Sequence, residues 1–146
     1  MYASSLTVGE ARSRYFADSG FDETSYTDRW VRLKLGPIPL AFPNTAGRKA
    51  AVKLHDLHHL ATGYDTSWTG EAEIAAWEIG AGCGRHGAAW ALNTMAMAMG
   101  LIHSPRRVLR ALARGRRSTS LYRTTYSDAM LGWSLGELRD RLGIPR

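Results

Sequence analysis

Residues 53–78 read KLHDLHHLATGYDTSWTGEAEIAAWE, and this stretch predicts two helices joined by a short turn. Apolar residues recur along one face of the first helix, at Ala50, Leu54, Leu57 and Ala61. That spacing is typical of a helix packed against a core. Asn44 or Thr45 is a suitable N-cap, and Gly63 is a suitable C-terminal stop. The first helix is therefore expected to end at about Thr62.

Similar start and stop signals predict short helices along the rest of the chain. The start signals are Thr7 with Glu10, Ser104 with Pro105, and Ser134 with Glu137. The predicted stops are Gly20, Gly80, Gly100, Gly115 and Gly143. Helices are expected over residues 70–80, 88–100, 105–115 and 134–143, besides the N-terminal helix that begins at Thr7 and the helix that ends at about Thr62. No βαβ pattern is visible, so the sequence predicts an all-α fold, a compact single-domain bundle of short helices.

Residues 30–43 interrupt this helical pattern. WVRLKL, at 30–35, alternates like a strand, but three prolines follow it closely, Pro37, Pro39 and Pro43. Because proline cannot donate a hydrogen bond to a β-ladder, we expect an extended, Pro-rich N-terminal arm without strand pairing.

Composition limits the class of protein. The 146 residues are 45% hydrophobic and 22% charged, which suits one soluble globular domain and excludes a disordered chain. A single cysteine, Cys83, rules out an intramolecular disulfide and favours a reducing compartment. The N-terminus lacks the apolar segment of a secretory signal. The longest apolar stretch, 88–102, is shorter than the roughly 18 residues that span a bilayer. We therefore expect a bacterial cytoplasmic protein.

Four residues of the opening stretch suggest a metal site. His55 and His59 stand at positions i and i+4, so their rings project from one helical face and can share an ion. Asp56 occupies the place that Glu takes in the H-E-x-x-H metal motif. Glu71 follows after eleven residues, in the first turn of the second helix, and completes the predicted ligand set. Glu78, two turns further on, is predicted as an outer-shell group or a proton carrier.

The other candidates have ordinary structural explanations. A His pair with this spacing arises by chance or for structural reasons in roughly half of cases. We interpret the remaining histidines and the cysteine as structural, namely His58, His86, His103 and Cys83. Asp65 and Thr66 lie in the loop between the two helices, where such residues are common whatever the function.

The pattern H-D-x-x-H, eleven residues and then E resembles the signature of the coenzyme Q (ubiquinone) biosynthesis family numbered four in the Coq series. The flanks resemble the family too, in GPIPLAFPNTAGR, GEAEIAAWEIGAGCG, PRRVLRALARGRRS and LGELRDRLGI. The chain is similar to a bacterial short form, without the N-terminal extension of many members. Within the single domain 1–146, we therefore expect a metal-binding core over 26–143 and a peripheral segment over 1–25.

This resemblance implies a helical protein that is peripherally associated with the bacterial inner membrane and handles polyprenylated quinone precursors. It implies either metal-dependent removal of the C1 carboxyl from a prenylated benzoate, with oxidation there, or a non-catalytic, prenyl-lipid-binding scaffold for other quinone-biosynthesis enzymes. A metal-dependent phosphohydrolase is a third alternative. The resemblance favours Zn²⁺ as cofactor, while a site of two histidines and carboxylates would also suit Fe²⁺ or Mn²⁺.

Two further segments have patterns that are typical of lipid contact, one apolar and one basic. Leu92, Met95 and Met99 share one helical face and could contact a prenyl tail, although a plain core helix is the commoner explanation of such a pattern.

The helix at 105–115 is amphipathic and basic, with arginines at Arg106, Arg107, Arg110 and Arg114. These arginines suit an anionic membrane surface, or simply solvent. No nucleic-acid-binding motif accompanies them, so we expect no nucleic-acid partner. The apolar content leaves room for a homo-oligomer.

Overall fold

The computed structural model describes residues 2–19, 30–35, 38–43 and 45–145, with only the backbone described at 19, 30–35 and 38–43. Six α-helices form most of this described part. They are α1 (Val8–Ser19), α2 (Ala46–Thr62), α3 (Trp68–Ala81), α4 (Gly87–His103), α5 (Pro105–Gly115) and α6 (Leu135–Leu142). Two short 3-10 turns, Leu121–Arg123 and Asp128–Gly132, connect α5 to α6. The predicted all-α fold is confirmed, with one small hairpin added to it.

That hairpin replaces the unpaired arm predicted from the prolines. Strands β1 (Trp30–Leu35) and β2 (Ile38–Pro43) pair antiparallel along their whole lengths. Pro39 and Pro43 stand four residues apart in β2, so they face the same edge of the strand. In a sheet of two strands each strand has one free edge, where the missing N–H costs no ladder bond. The expectation of no strand pairing was therefore wrong; Pro37 lies outside the described residues.

Most predicted helix ends agree with the structure. The Thr7 backbone N–H donates to Glu10 Oε2 at 2.9 Å, and the Glu10 N–H donates to Thr7 Oγ1 at 3.2 Å, which is a complete capping box. Thr45 caps α2, and Gly63 ends it with a left-handed φ of 78°. Ser134 caps α6 through its side chain. Two predicted markers lie outside the described residues, namely Gly20 and Asn44.

Helix α3 occupies the centre of the bundle and packs closely against α4 and α5. Glycines allow this approach: Gly115 of α5 faces the backbone of Trp77, and a Cβ at Gly80 would lie 2.5 Å from the Leu112 carbonyl oxygen. A Cβ at Gly100 of α4 would run into the side chain of Ala72 in α3. Side chains at these positions would force the helices apart, so close packing here positions α3 and the residues that it carries.

Helix α1 is part of the core. Val8 and Ala11 are fully buried, and Tyr15 is nearly so. This packing differs from the peripheral position that we predicted for residues 1–25. The apolar face of α1 contacts α2, and Thr7 also bridges to Ser134 at the start of α6. The N-terminal helix therefore belongs to the same packed unit as the candidate site.

The C-terminal end of α2 is anchored by a buried arginine. Arg139 of α6 donates from Nε to the Ala61 carbonyl at 3.1 Å and from Nη2 to the Tyr2 carbonyl at 3.0 Å. Its Nη1 donates to Ser4 Oγ at 2.8 Å. The last carbonyls of a helix carry partial negative charge and lack partners within the helix, so a guanidinium is well suited to this position.

Helix α4 is apolar yet mostly unburied. Only three of its residues are buried, Ala89, Asn93 and Gly100, although all of its residues belong to the described part of the chain. Its exposed large apolar residues are Trp90, Met95, Met99, Leu101 and Ile102. The interpretation of α4 as a plain core helix is therefore wrong. Among the described residues, no helix has both the length and the apolar character needed to cross a bilayer.

Candidate metal centre

Three of the four predicted ligands meet at one point between α2 and α3. His55, His59 and Glu71 each offer a ligand atom, and these atoms all lie within 4.8 Å of one another. The two Nε2 atoms are 3.1 Å apart. Glu71 Oε2 lies 3.6 Å from His55 Nε2, and Glu71 Oε1 lies 3.4 Å from His59 Nε2.

These separations fit the coordination sphere of one small divalent ion. With bonds of roughly 2.0 Å, tetrahedral ligand atoms stand roughly 3.3 Å apart, and ligands at right angles stand roughly 2.8 Å apart. The observed distances of 3.1, 3.4 and 3.6 Å lie in or close to this range. The three residues could therefore hold a metal ion with little movement.

In both imidazoles the hydrogen is held on Nδ1, so the lone pairs of the two Nε2 atoms are directed to the same point. The Nδ1 of His59 lies 2.9 Å from the Tyr64 carbonyl, and the Nδ1 of His55 lies 2.9 Å from Glu78 Oε1. Both partners can only accept, so each Nδ1 donates a hydrogen. In the neutral rings both Nε2 atoms then present lone pairs to each other at 3.1 Å, and either a proton or a metal cation between them relieves that contact.

The centre is closed on one side and open on the other. The His59 side chain is 1% exposed, and Tyr15 stacks on its ring at 5.7 Å. The Glu71 side chain is 39% exposed. Burial raises the pKa of Glu71, but hydrogen bonds with His55 and His59 outweigh it and hold that pKa below its ordinary value. Three ligands, one of them exposed, leave room for water or substrate, as catalytic metal sites require.

Glu78 lies directly behind this centre and is fully buried. Its Oε1 accepts from His55 Nδ1 and from His58 Nδ1, at 2.9 and 2.7 Å. Its Oε2 accepts from Tyr122 Oη at 3.0 Å and from Asn93 Nδ2. Burial raises the pKa of Glu78, but His55 and these hydrogen bonds outweigh it and lower that pKa. Glu78 therefore stays ionised, which favours the outer-shell role over that of a proton carrier.

His58 is a satisfied polar residue, as predicted. Its Nε2 accepts from the Leu121 backbone N–H at 2.9 Å, so its Nδ1 carries the hydrogen that is donated to Glu78. The ring is completely buried, and burial lowers its pKa, which keeps it neutral. His86 and His103 lie at the two ends of α4 and do not belong to the ligand group.

Asp56 is not brought into the ligand group. It follows His55 directly, so its side chain leaves the helix about 100° further around the axis. Asp56 is buried, and its charge is one of the influences that raise the pKa of Tyr15. Asp65, in the loop, instead accepts from the Ser67 backbone N–H at 2.9 Å and shapes the turn before α3.

The predicted anion-binding arginines divide into two pairs. Arg107 forms a two-point ion pair with Glu73 of α3, at 3.0 and 2.6 Å. Arg114 donates to the Thr62 carbonyl at 3.1 Å. These two arginines hold α5 against the rest of the bundle. Arg106 and Arg110 are exposed and have no ion-pair partner within the described part of the chain.

Four contributors to the centre were not predicted from sequence. They are Tyr15, the Tyr64 carbonyl, Asn93 and Tyr122. The Tyr64 carbonyl carries no sequence signal, because any residue supplies one. The other three reach the centre from separate elements, α1, α4 and the first 3-10 turn, and no local spacing relates them to the H-D-x-x-H motif. Only Asn93, a polar residue within a mostly apolar helix, was a usable signal.

Metal binding at this centre is expected to weaken as the pH falls. Burial lowers the pKa of His55, but Glu78 and Glu71 outweigh it and raise that pKa well above its ordinary value. An incoming ion must displace this proton, so the Kd for Zn²⁺ should rise about tenfold per pH unit below that pKa. Competition titrations against a chromophoric chelator would measure it. A Kd that stays constant between about pH 5.5 and pH 7.5 would contradict this expectation.

Comparisons with models of protein families, with curated proteins and with solved structures found no match to this chain. The resemblance to the ubiquinone-biosynthesis family therefore rests on the H-D-x-x-H motif, the spacing to Glu71 and the flanking segments alone.

Proposed function

We propose that the chain is a metal-dependent protein of ubiquinone biosynthesis that acts on a polyprenylated benzoate precursor. The observation that carries this proposal is the open, three-ligand centre of His55, His59 and Glu71, in which both histidine lone pairs converge. The family resemblance of the same residues supplies the substrate class. The 39% exposed side chain of Glu71 lets a substrate approach the ion, which a centre that only braced two helices does not require.

We propose Zn²⁺ as the ion, with Fe²⁺ and Mn²⁺ as the alternatives. Two imidazoles and a carboxylate form a donor set of intermediate hardness, which all three ions accept. When bound, the ion supplies a Lewis acid that polarises a carboxylate or carbonyl oxygen of the aromatic head group. His59, held by Tyr64 and Tyr15, and His55, held by Glu78, keep the two nitrogen ligands in place during turnover.

The proposed reaction removes the C1 carboxyl of the aromatic ring. Release of CO₂ with a proton taking its place is redox-neutral and needs no further reagent. Replacement of the carboxyl by a hydroxyl whose oxygen comes from water is a two-electron oxidation, and we assign dioxygen, which is reduced to hydrogen peroxide, as the oxidant of that version. The product therefore identifies the chemistry: a ring hydrogen at C1 indicates decarboxylation alone, and a ring hydroxyl indicates oxidative decarboxylation.

The direct test incubates the protein with a hydroxybenzoate that carries a prenyl chain and a ¹³C-labelled carboxyl. Protein loaded in turn with Zn²⁺, Fe²⁺ or Mn²⁺ should release labelled CO₂, and Glu71→Gln should lose at least about 99% of that activity. Parallel reactions under air and under argon separate the two versions. If the loaded protein binds the prenylated acid but releases no CO₂ under any condition, the non-catalytic scaffold becomes the better account.

The exposed surface of α4 supplies the apolar contact that a prenyl chain requires. Met95 and Met99 are exposed along one face, and Leu92 on the same face is half-buried. Their flexible thioethers adapt to an irregular hydrocarbon chain. Asn93 of the same helix donates to Glu78 behind the metal centre, so α4 joins the proposed tail surface to the proposed reaction site.

We further propose that the corner between α4 and α5 rests on an anionic membrane. Ile102, near the end of α4, is 72% exposed, and Leu109 of α5 is 54% exposed. The exposed Arg106 and Arg110 belong to the same helix as Leu109, and neither has an ion-pair partner among the described residues. Apolar side chains surrounded by cations suit the interface of an anionic bilayer.

Vesicle sedimentation tests this surface. We expect the wild type to bind vesicles that contain phosphatidylglycerol and to bind pure phosphatidylcholine vesicles more weakly. Charge reversal in Arg106→Glu/Arg110→Glu should reduce binding at least about tenfold, since each basic residue contributes about 1 kcal/mol. The matched control, Arg14→Glu/Arg123→Glu, reverses two exposed arginines on other elements. Equal losses in both double variants would show a general charge effect and contradict the assignment of this corner.

A further inference from the structure

We propose that Glu78 is a positioning residue that fixes the His55 imidazole with its hydrogen on Nδ1 and its Nε2 lone pair directed at the ion. This inference deepens the proposed metal site and rests on it. Glu78 does not reach the ligand group itself: its contact with the centre passes entirely through the ring of His55, 2.9 Å away.

The carboxylate of Glu78 is held against rotation on both of its oxygens. Oε2 receives hydrogen bonds from Tyr122 and Asn93, and Oε1 receives one from His58 as well as the one from His55. These donors come from α2, α4 and the first 3-10 turn, whereas Glu78 itself belongs to α3. A carboxylate fixed in this way offers the His55 ring one orientation only.

His58 can only donate a hydrogen bond to Glu78, because its other ring nitrogen already accepts one. The Leu121 backbone N–H donates to His58 Nε2, so His58 is obliged to donate from Nδ1 to Glu78. The neutral His58 ring therefore has its hydrogen on Nδ1 and cannot adopt the other tautomer, in which Nε2 carries the hydrogen. A chain of hydrogen bonds thus runs from the Leu121 N–H through His58 and Glu78 to the Nδ1 of His55. It leaves the Nε2 of His55 available to the ion.

A carboxylate behind a ligand imidazole also strengthens the ligand. It stabilises positive charge that develops on the ring when Nε2 gives its lone pair to a cation, and it fixes the tautomer. Removal of such a partner typically reduces metal affinity by about 10- to 100-fold. Glu78→Gln keeps the size and one acceptor oxygen but removes the charge, so it isolates this contribution.

The chain contains a matched control for this substitution. Glu73 is also a buried carboxylate of α3, and it pairs with Arg107 rather than with a ligand. We expect Glu78→Gln to raise the Kd for Zn²⁺ by about 10- to 100-fold, and Glu73→Gln to leave it within about threefold of the wild type. Equal Kd values for Glu78→Gln and the wild type, with both proteins folded, would overturn the proposal.

A second readout does not depend on the metal. In wild-type protein, with and without Zn²⁺, NMR of ¹⁵N-labelled histidine should show a downfield, slowly exchanging proton on Nδ1 of His55. This proton should move upfield and exchange faster in Glu78→Gln but not in Glu73→Gln. A His55 ring with its only hydrogen on Nε2 would overturn the proposal, whatever the affinity.

The two readouts separate the failure of this inference from that of the metal site. If the wild type binds no ion but the Nδ1 proton responds to Glu78→Gln, the metal site fails and the positioning role stands. If the ion binds and the proton does not respond, the positioning role fails alone. Should Glu78→Gln not fold, Tyr122→Phe removes one donor to Oε2 and should shift the same proton by a smaller amount; an unchanged proton would count against the proposal.

Discussion

Replacement of His59 by alanine is expected to abolish specific binding of the ion and to raise the Kd for Zn²⁺ by at least about 100-fold, or about 2.7 kcal/mol. His59 supplies one of three ligand atoms, and its Nε2 lies 3.1 Å from the Nε2 of His55. Its ring is also fixed by the Tyr64 carbonyl and by Tyr15, so this ligand atom is held in place before the ion binds. Competition titration with a chelator measures the change.

The control for this substitution is His103→Ala. His103 lies at the exposed end of α4, outside the ligand group, and its loss should leave the Kd unchanged. Circular dichroism must show that His59→Ala keeps its helices, because His59 is also buried. A folded His59→Ala protein with wild-type affinity would remove His59 from the ligand set.

The largest expected effect on stability comes from Gly115→Ala. A methyl group at this position would run into the backbone of Trp77 at the closest approach of α3 and α5. Since the obstacle is backbone rather than a flexible side chain, we expect a loss of about 3 kcal/mol in the free energy of unfolding. For a chain of this size the melting temperature should fall by about 6 to 12 °C.

Gly47→Ala makes the same chemical change but is expected to raise the free energy of unfolding. Gly47 lies exposed in the first turn of α2, and nothing stands within 4 Å of the position that its Cβ would take. Alanine there should stabilise the protein by about 0.4 to 1 kcal/mol, because it reduces the freedom of the unfolded chain. Urea unfolding of both variants measures the two effects, and similar changes in both would contradict the close contact of Gly115 with α3.

Helix positions and the ligand pair were predictable because they depend on local spacing. Thr45, Gly63 and Ser134 act through neighbours within one helical turn, and His55 and His59 share a face at any i, i+4 spacing. The position of Glu71 was also predictable, because the loop after Gly63 lets the chain reverse and can bring the first turn of α3 back to the two histidines.

The rest depended on contacts that spacing does not encode. Asp56 was included as a ligand because it belongs to the motif, although its side chain leaves the helix about 100° further around the axis than His55 and does not join the ligand group. The four donors around Glu78 come from distant segments, so sequence suggested Glu78 itself but not its partners. The apolar pattern of α4 predicts burial equally well in a core or against lipid, and only the fold shows that most of this helix is uncovered.

Zinc content together with X-ray absorption at the zinc edge tests the central claim most directly. We expect the wild type, reconstituted and desalted, to hold about one zinc per chain with two imidazole nitrogens and carboxylate or water oxygens at roughly 2.0 Å. His55→Ala and Glu71→Ala should each lose the ion. Wild-type protein that retains no zinc, iron or manganese, or a spectrum without imidazole scattering, would contradict the claim that His55, His59 and Glu71 form a metal centre.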